Sequence, residues 1–420
     1  MPDTSISRAV ETSEAPALRQ RGGGPGERLR AWLAWWPVRD VVIPFVVTRA
    51  MLVLVGWLAL HLFHSLPARP DSWEIKRNGR VGVISPHTSP KHHPLVNMWS
   101  RWDAGWYISV AKNGYQFVPG KQSNTAFFPA YPMAIRAVHA VLPRHADLSW
   151  FISGIVVSNA ALLIALYYLV LLVRLDWDDA TAARGALYVL VFPTTLFFSA
   201  VYSESLFLAA TVASFYYARK QRWLAAGALA GLSVLTRSPG VLLGIPLLIE
   251  YLHQRRYQLR AIRPDIAALA LIPACLGALL LYFEWRFGNI RAISDAQASW
   301  GSDWGLLTWP WQAYVRFFQR PFAASEVIDF TFAISAFFLT VVAACRLRPS
   351  YGVYAVSCYW FITAWGALES MPRYMLSIVP IFMLLADWGR SRIFDRVYLI
   401  AASGLSVLFM MCFALWRWVA

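Results

Sequence analysis

The sequence predicts an all-α polytopic membrane protein, and two observations carry that prediction. Of the 420 residues, 58% are hydrophobic, and the mean hydropathy is +0.46. Apolar runs about 20 residues long, the length of a membrane-spanning helix, recur at 151–173, 266–283, 327–345 and 397–416. Several runs of this length indicate a chain that crosses a bilayer repeatedly rather than a soluble domain.

The positive charge supports the same class. The net charge is +15, but Lys and Arg occur in short clusters between apolar runs and not on one soluble face, which argues against nucleic-acid binding. Clusters of this kind are typical of cytoplasmic connections between spans. We expect the cytoplasmic connections at 1–38, 174–184, 219–222, 255–263, 346–348 and 390–396.

These clusters and the apolar runs together predict about eleven spans. They are expected near 41–64, 151–173, 182–201, 204–218, 223–237, 239–252, 266–285, 327–345, 351–368, 374–387 and 397–416. Residues 1–38, which are rich in Arg and Gly, are predicted to form a disordered cytoplasmic tail. Residues 65–149 then form a long first extracytoplasmic loop, expected to fold into short helices on the outer membrane face.

Two chain reversals within the apolar regions follow from length. Residues 181–218 would make a helix nearly twice as long as the bilayer core is thick, at about 1.5 Å per residue, so the polar residues 202–205 are predicted to form an outer turn. Residues 223–251 are short for two spans and are flanked by basic segments at both ends. The breakers at 237–240, Arg-Ser-Pro-Gly, therefore predict two half-length helices with Arg237 below the outer surface.

This topology places several polar residues on the non-cytoplasmic side. They are Asp103, Glu204, Arg237, the stretch 297–301 and the pair Arg373 and Tyr374. Polar groups near membrane depth are costly and usually mark a pathway or a site. The alternative is that each charged residue snorkels to the interface or pairs with a neighbour.

The most informative stretch of the chain begins at Arg101. It reads RWDAGWY at 101–107, NGY at 113–115 and FFPAYP at 127–132, which places the carboxylate of Asp103 among aromatic residues in a polar loop. This stretch resembles the hallmark of the PIG-V-type mannosyltransferases, GT-C glycosyltransferases that take a sugar from a polyprenyl-phosphate carrier.

The resemblance extends along the chain in order. FFSAVYSESLF at 197–207 is similar to a family block, and TRSPG at 236–240 is similar to the family's R-S-N-G element, with Pro239 where asparagine is usual. QASWG at 297–301 and SMPRY at 370–374 resemble its Q-x-x-W-G and S-x-P-R-Y elements. Together these ordered matches run from about 97 to 385.

The resemblance implies a GT-C-like transmembrane bundle over residues 39–420 that works as an inverting mannosyltransferase on the non-cytoplasmic face. The donor would be a polyprenyl-phosphate sugar and the acceptor a lipid or lipid-linked glycan. A phosphate leaves readily as an anion, so the reaction requires one base and no general acid. Asp103 is the candidate for that base; the alternative is an aspartate that caps a helix beginning near Ala104.

The leaving phosphate requires cations. Arg237 and Arg373 are the first candidates, since guanidinium binds phosphate in a bidentate fork, although Arg373 could instead be an interfacial anchor. Glu204, Tyr131 and Gln297 are candidates for binding sugar hydroxyls or orienting other polar groups. The other candidate substrate-binding residues belong to the same loops and motifs, and they are Trp102, Trp300, Tyr374, Lys112 and His93, with Lys91 and His92 beside the last.

No metal or other cofactor is expected. The D-x-D spacing at 176–178 imitates a metal site of nucleotide-sugar transferases, but the charge pattern places it in the cytoplasm, where a solvated turn and helix cap is the interpretation. His87, His92 and His93 lack a carboxylate or cysteine at zinc-like spacing. The four cysteines fall in or at the ends of spans and are interpreted as packing residues, without a loop disulfide framework.

A second hypothesis is a transporter or flippase of polyprenyl-linked or glycolipid substrates, which would also use half-helices and intramembrane arginines. A transporter is expected to show related halves and polar residues on both sides of the midplane; the sequence has no internal repeat, and its candidate residues crowd one side. The enzyme is therefore favoured. The Ala-, Arg- and Trp-rich composition suggests a high-GC bacterium and hence its plasma membrane, with an ER membrane and lumenal site as the alternative.

Overall fold

Helices dominate the protein, as the sequence predicts. The computed structural model describes residues 30, 33–63, 76–77, 80–81, 93–143, 148–299, 308–319 and 324–419. The helices are α1 (Ile43–Leu62), α2 (Pro94–Asn97), α3 (Ala104–Asn113), α4 (Ala130–Val141), α5 (Leu148–Val173), α6 (Asp179–Val191), α7 (Glu204–Arg219), α8 (Trp223–Val234), α9 (Gly244–Gln254), α10 (Leu271–Phe287), α11 (Ala292–Ala298), α12 (Trp311–Phe318), α13 (Ala324–Arg346), α14 (Pro349–Thr363), α15 (Met371–Tyr374), α16 (Val379–Trp388) and α17 (Arg392–Ala414).

Shorter elements complete this list. A π-helical turn, Val38–Val42, leads into α1, and 3-10 turns occur at Asn124–Ala126, Thr195–Phe198, Ser238–Leu243, Leu259–Ala261, Pro264–Ala270 and Met375–Ser377. Strands β1 (Lys76–Arg77) and β2 (Arg80–Val81) form an antiparallel pair. Most of the predicted tail 1–38 and much of the loop 64–92 lie outside the described residues.

Five helical stretches of the described chain are long and apolar enough to cross a membrane. They are Val38–Leu62, Leu148–Val173, Pro264–Phe287, Ser325–Arg346 and Arg392–Ala414. The prediction of an integral membrane protein is confirmed. The other predicted spans correspond to shorter helices, so the expected count of eleven is not confirmed.

The predicted span 182–201 is not one continuous helix. Helix α6 ends at Val191, just before Pro193, and the chain continues as the 3-10 turn Thr195–Phe198, because proline cannot donate a backbone hydrogen bond and clashes with the preceding turn. Carbonyl groups released by such a break need new partners inside a membrane. Arg49 of α1 provides them, donating to the carbonyl oxygens of Leu190 and Thr195 at 2.9 and 3.1 Å. Arg49, to which the sequence assigned no role, therefore binds the carbonyl groups at this helix break.

The predicted break at 237–240 is confirmed. Helix α8 ends at Val234, the 3-10 turn Ser238–Leu243 follows, and α9 begins at Gly244. Gly240 lies so close to Ser233 that a Cβ would overlap its backbone. Glycine at this position therefore allows the chain to reverse direction with close backbone contact between the two half-length helices. Arg237 lies at their junction.

The predicted extracytoplasmic loop 65–149 folds into short helices where it is described. In the sequence, helices α3 and α4 come between the first two long spans, α1 and α5. Helix α4 packs on α5. The centre of the core is α5, whose residues Leu162, Leu166 and Leu169 are buried and which packs against α7. One end of this core carries the N-terminus of α3, the N-terminus of α7, the 237–240 break and the short helix α15.

Candidate active site

A polar cavity of about 230 Å³ lies where these elements meet. Its walls come from four segments of the chain and two isolated residues. They are the start of α3, residues 126–128, residues 236–239, the segment from Phe361 to Tyr374, and the isolated contributors Gln297 and Trp418. All of these parts except Trp418 contain a motif residue or are adjacent to one.

Asp103 occupies the N-cap position of α3 but does not cap it. Its backbone is helical, and its side chain makes no hydrogen bond to the first turn. The carboxylate instead accepts a hydrogen bond from Arg373 Nη1 at 2.9 Å, and the side chain is 28% exposed. The backbone N–H of Asp103 donates to the Tyr202 hydroxyl at 3.2 Å. The capping alternative is thus not what the geometry shows, and the carboxylate is available to the cavity.

Arg373 is held in place from two sides. The main-chain N–H of Met371, the first residue of helix α15, donates to the buried Asp329 carboxylate at 3.2 Å. The Thr194 hydroxyl donates to the Pro372 carbonyl oxygen at 2.8 Å. Burial by itself would lower the pKa of Arg373, but the nearby Asp103 and other anionic groups outweigh it and hold that pKa well above its usual range. Arg373 therefore stays charged and fixed beside Asp103.

Left-handed backbone conformations occur directly beside both of these groups. Trp102 has φ +45° and Ser370 has φ +66°. Such conformations cost about 1–3 kcal/mol for residues other than glycine and persist where surrounding contacts impose them. For Trp102 those contacts are the rings of Phe413 and Trp418, 5.2 and 5.3 Å away. The C-terminal aromatics thus fix the backbone that presents Asp103.

Glu204 connects the two candidate phosphate-binding arginines. Its side chain is 2% exposed; it forms an ion pair with Arg237 and lies 3.7 Å from Nε of Arg373. The ring of Tyr374 lies 5.9 Å from the Arg237 guanidinium and 5.3 Å from that of Arg373. A carboxylate and an aromatic face offset the repulsion between two cations in a site of low dielectric constant. Of the two roles expected for Glu204, the geometry fits the orientation of other polar groups.

The other predicted residues separate into two groups. Gln297 and Tyr374 line the cavity together with Arg237 and Arg373. The remaining four described candidates lie outside the cavity lining; they are Tyr131, Trp102, His93 and Lys112.

Packing accounts for two of these four. The fully buried hydroxyl of Tyr131 donates to the Gly154 carbonyl oxygen at 3.0 Å and pairs with Ser158, so no free polar group of its side chain faces a substrate. Trp102 packs against the C-terminal aromatics. His93 and Lys112 are exposed. Trp300, Lys91 and His92 lie outside the described residues.

Sequence reasoning missed several residues that line the cavity. Tyr107, Trp365, Glu369 and Trp418 contribute to its wall. Glu369 is a second cavity carboxylate, and burial together with the charges of Asp103 and Glu326 raises its pKa, against the opposing effect of Arg373. Tyr107 belongs to the same motif as Asp103, and Glu369 directly precedes SMPRY. Their positions in or beside a motif could have identified both as site residues. No local pattern marks Trp418.

The described residues contain no cluster of three or more His, Cys, Asp or Glu side chains able to hold a metal ion. At the D-x-D stretch, Asp178 accepts a hydrogen bond from the Thr181 N–H at 2.8 Å and caps α6, while Asp176 pairs with Arg219. The interpretation as a helix cap is confirmed. All four cysteines have free thiols; Cys358 is buried, as expected of a packing residue, whereas Cys345 is exposed.

Comparison with known proteins is in accord with the motifs. The model of the family Mannosyltransferase (PIG-V) matches residues 87–284. GPI mannosyltransferase 2 of Chaetomium globosum is 27% identical over 189 residues, which cover 38% of this chain and 39% of that relative. GPI alpha-1,6-mannosyltransferase 2 of Mus musculus is 32% identical over 153 residues, covering 35% of this chain and 30% of that relative.

The matched region therefore spans well under half the length of these curated relatives. Among solved structures, the chain is similar to the Archaeoglobus fulgidus oligosaccharyltransferase in the apo form, with 13% identity and a TM-score of 0.44 over 89% of this chain and 54% of that one. The family match covers both half-helices and the motifs of Asp103, Glu204 and Arg237. Over residues 87–284, this membrane protein is similar to the PIG-V mannosyltransferases.

Proposed function

We propose that this chain is an integral membrane glycosyltransferase that moves mannose from a polyprenyl-phosphate carrier to a hydroxyl group of a lipid or lipid-linked glycan. The observation that carries the proposal is the Asp103 carboxylate, which lines a cavity with two fixed arginines instead of capping its helix. The names of the relatives, which are mannosyltransferases, support the choice of sugar.

In the proposed reaction, Asp103 removes the proton from the acceptor hydroxyl as that oxygen attacks the anomeric carbon. The bond from the anomeric carbon to the carrier phosphate breaks, and its electron pair leaves with the phosphate. The attack comes from the face opposite the leaving group, so the anomeric configuration is inverted. Since the phosphate leaves as a stable anion, no second carboxylate has to act as an acid.

The arginines suit the leaving phosphate. Arg237 and Arg373 line the cavity with guanidinium groups that are almost buried, at 11% and 10% side-chain exposure. Charge-assisted hydrogen bonds to phosphate are strong in such a place, and they strengthen as charge develops on the leaving oxygen. A phosphate also offers Arg373 a second anionic partner, which would release the Asp103 carboxylate for the acceptor.

We further propose that the site works on the non-cytoplasmic side of a bacterial plasma membrane or of the ER membrane, and that it needs no metal. The positive-inside pattern of the connections supports the non-cytoplasmic location. The leaving group carries one phosphate, and this supports a reaction without a metal. The transporter hypothesis has no support from the relatives. A transporter is expected to have polar residues on both sides of the midplane, whereas Asp103, Arg237 and Arg373 line one cavity.

The test is a transfer assay. Purified protein in nanodiscs is incubated with polyprenyl phosphomannose and extracted host lipids, and mass spectrometry identifies any lipid that gains a hexose. We expect one lipid class to gain a hexose with the wild type and not with Asp103→Asn. Hexose transfer by Asp103→Asn at the wild-type rate would overturn the assignment of the base, and no transfer by either protein to any host lipid would overturn the activity.

A further inference from the structure

The main chain on both sides of Trp102 bonds to one side-chain hydroxyl. The Tyr202 hydroxyl donates a hydrogen bond to the Arg101 carbonyl oxygen at 3.0 Å and accepts one from the Asp103 N–H at 3.2 Å. A phenol hydroxyl can donate and accept at the same time, so the two bonds form together. Trp102, between them, has φ +45°. The hydroxyl therefore bridges the two ends of the left-handed turn that leads to the proposed base.

Helix α3 cannot satisfy the Asp103 N–H. The N–H groups at the start of a helix have no acceptor within it, and Asp103 comes just before Ala104, the first residue of α3. The Ala104 N–H donates to the Arg101 carbonyl oxygen at 3.2 Å, which closes the turn 101–104. An N–H without a partner away from water costs free energy. The bond to Tyr202 removes that cost at the residue that carries the proposed base.

Tyr202 is itself held firmly in the bundle. It is 1% exposed, and its ring lies edge to face with the rings of Phe197 and Phe413, at 5.1 and 6.5 Å. The Ser158 hydroxyl of α5 donates to the Tyr202 carbonyl oxygen at 3.2 Å. Side chains packed in this way rest in one rotamer. The position of the hydroxyl is therefore fixed relative to α5 and α17.

The Tyr202 ring also lies beside the cation that pairs with Asp103. The Arg373 guanidinium is 5.5 Å from the centre of this ring, within the range of a cation–π contact. Tyr202 thus contacts the main chain of one member of the Asp103–Arg373 pair and the side chain of the other. Among the described residues, Tyr202 lies outside the cavity lining, so its route to the reacting atoms is through these two neighbours.

We propose that the Tyr202 hydroxyl is a positioning group for Asp103, an inference that rests on the proposed function. By fixing the peptide groups on each side of Trp102, it sets the direction in which the Asp103 carboxylate leaves the main chain. That direction decides how the carboxylate approaches the acceptor hydroxyl. A displacement of about 1 Å at a reacting group can lower a rate by about a hundredfold. A hydroxyl that only stabilised the fold would leave the rate of the folded protein unchanged.

Hydrogen exchange tests the bridge without requiring turnover. Tyr202→Phe removes the hydroxyl and keeps the ring, so the contact with Arg373 remains. In the full chain in nanodiscs, with fragmentation that resolves single amides, we expect the Asp103 amide to exchange about fivefold faster, as the loss of one hydrogen bond predicts. The matched control is Tyr188→Phe, which removes a buried hydroxyl bonded to Asp395 at 2.8 Å and should leave this amide unchanged. Wild-type exchange in Tyr202→Phe would overturn the proposal.

A double-mutant cycle then separates positioning from stability. In folded protein, Tyr202→Phe should lower kcat for mannosyl transfer by about ten- to a hundredfold and leave polyprenyl phosphate affinity close to wild type. Asp103→Asn keeps the N–H that bonds to Tyr202 but has no base to position. In that background Tyr202→Phe should therefore not lower the residual rate further.

An equal fractional loss of kcat in both backgrounds would overturn the positioning role, as would wild-type kcat in Tyr202→Phe. The failure of this role and that of the proposed function give different results. Faster exchange of the Asp103 amide without transfer by the wild type would uphold the bridge while the proposed function fails. Transfer that requires Asp103 but not the Tyr202 hydroxyl would do the reverse.

Discussion

The Arg373 guanidinium donates a hydrogen bond from Nη1 to Oδ2 of Asp103 at 2.9 Å, which joins two residues 270 positions apart in the sequence. The proposed base and a proposed phosphate ligand are therefore already in contact. A donor phosphate that binds Arg373 competes with Asp103 for the same cation. Donor binding and activation of the base are thus linked through one side chain.

Replacement of Asp103 by asparagine should abolish most turnover. General bases contribute about 10²–10⁴-fold to rate, so we expect kcat to fall by about a hundredfold or more, while polyprenyl phosphate binding stays close to wild type. Transfer kinetics and lipid binding in nanodiscs check this. Asp178→Asn removes a carboxylate outside the cavity and keeps a side chain that can cap α6. It is the matched control and should keep wild-type turnover.

Replacement of Arg237 by glutamine should affect both folding and function. It removes the closer ion-pair partner of the buried Glu204 carboxylate and leaves only Arg373, at 3.7 Å. Removal of one member of a buried pair costs about 3–5 kcal/mol. The double variant with Glu204→Gln should recover much of the melting temperature but not the donor affinity. Recovery of both would mean that Arg237 only compensates Glu204 and does not bind phosphate.

Donor affinity should decline as the pH rises through the pKa of Glu369. That pKa is raised above its ordinary 4.5, so the carboxyl is neutral on the acid side of the raised value and adds a negative charge to the cavity above it. A negative charge opposes phosphate binding. The Glu369→Gln variant stays neutral, so its affinity should lack this component; a pH profile of donor binding identical to that of the wild type would contradict the prediction.

The orientation of the chain can be tested by cysteine labelling in a variant without the four native cysteines. A cysteine at the exposed Lys121 in the outer loop should react with an impermeant maleimide from outside, whereas one at Asp178 should react only after permeabilisation. The reverse pattern would place the proposed site in the cytoplasm.

Transfer activity should survive EDTA. The part of the chain that the structure describes holds no three-residue metal cluster, and the proposed leaving group needs no metal-bound diphosphate. The same assay with and without chelator measures this. Loss of activity that Mn²⁺ or Mg²⁺ restores would require a metal that these residues do not provide.

Patterns in the sequence were sufficient for class and local structure. Apolar length predicts the long spans, because a bilayer requires about 20 apolar residues per helix. Pro239 and Gly240 predict the half-helix break, since proline cannot continue the helix and glycine allows close backbone approach. The motifs mark Asp103, Arg237 and Arg373, and the charge pattern predicts that they lie on one side of the membrane. The sequence predicted a continuous span at 182–201 because the helix break at Pro193 depends on a distant side chain, Arg49, which binds carbonyl groups on both sides of the break.

Roles within the site depended on the tertiary structure. Tyr131 and Glu204 both belong to motifs, yet their surroundings differ. The Tyr131 hydroxyl is enclosed by α5, whereas the Glu204 carboxylate is shared between Arg237 and Arg373. A motif specifies which residue is present but not which neighbours surround its side chain. Asp329 and Trp418 lie outside every motif, and they reach the site only because the bundle brings α13 and the end of α17 to its edge. What the sequence determined was the set of groups. Packing alone decided which of them face the cavity, since the direction and burial of a side chain depend on contacts between residues far apart in the chain.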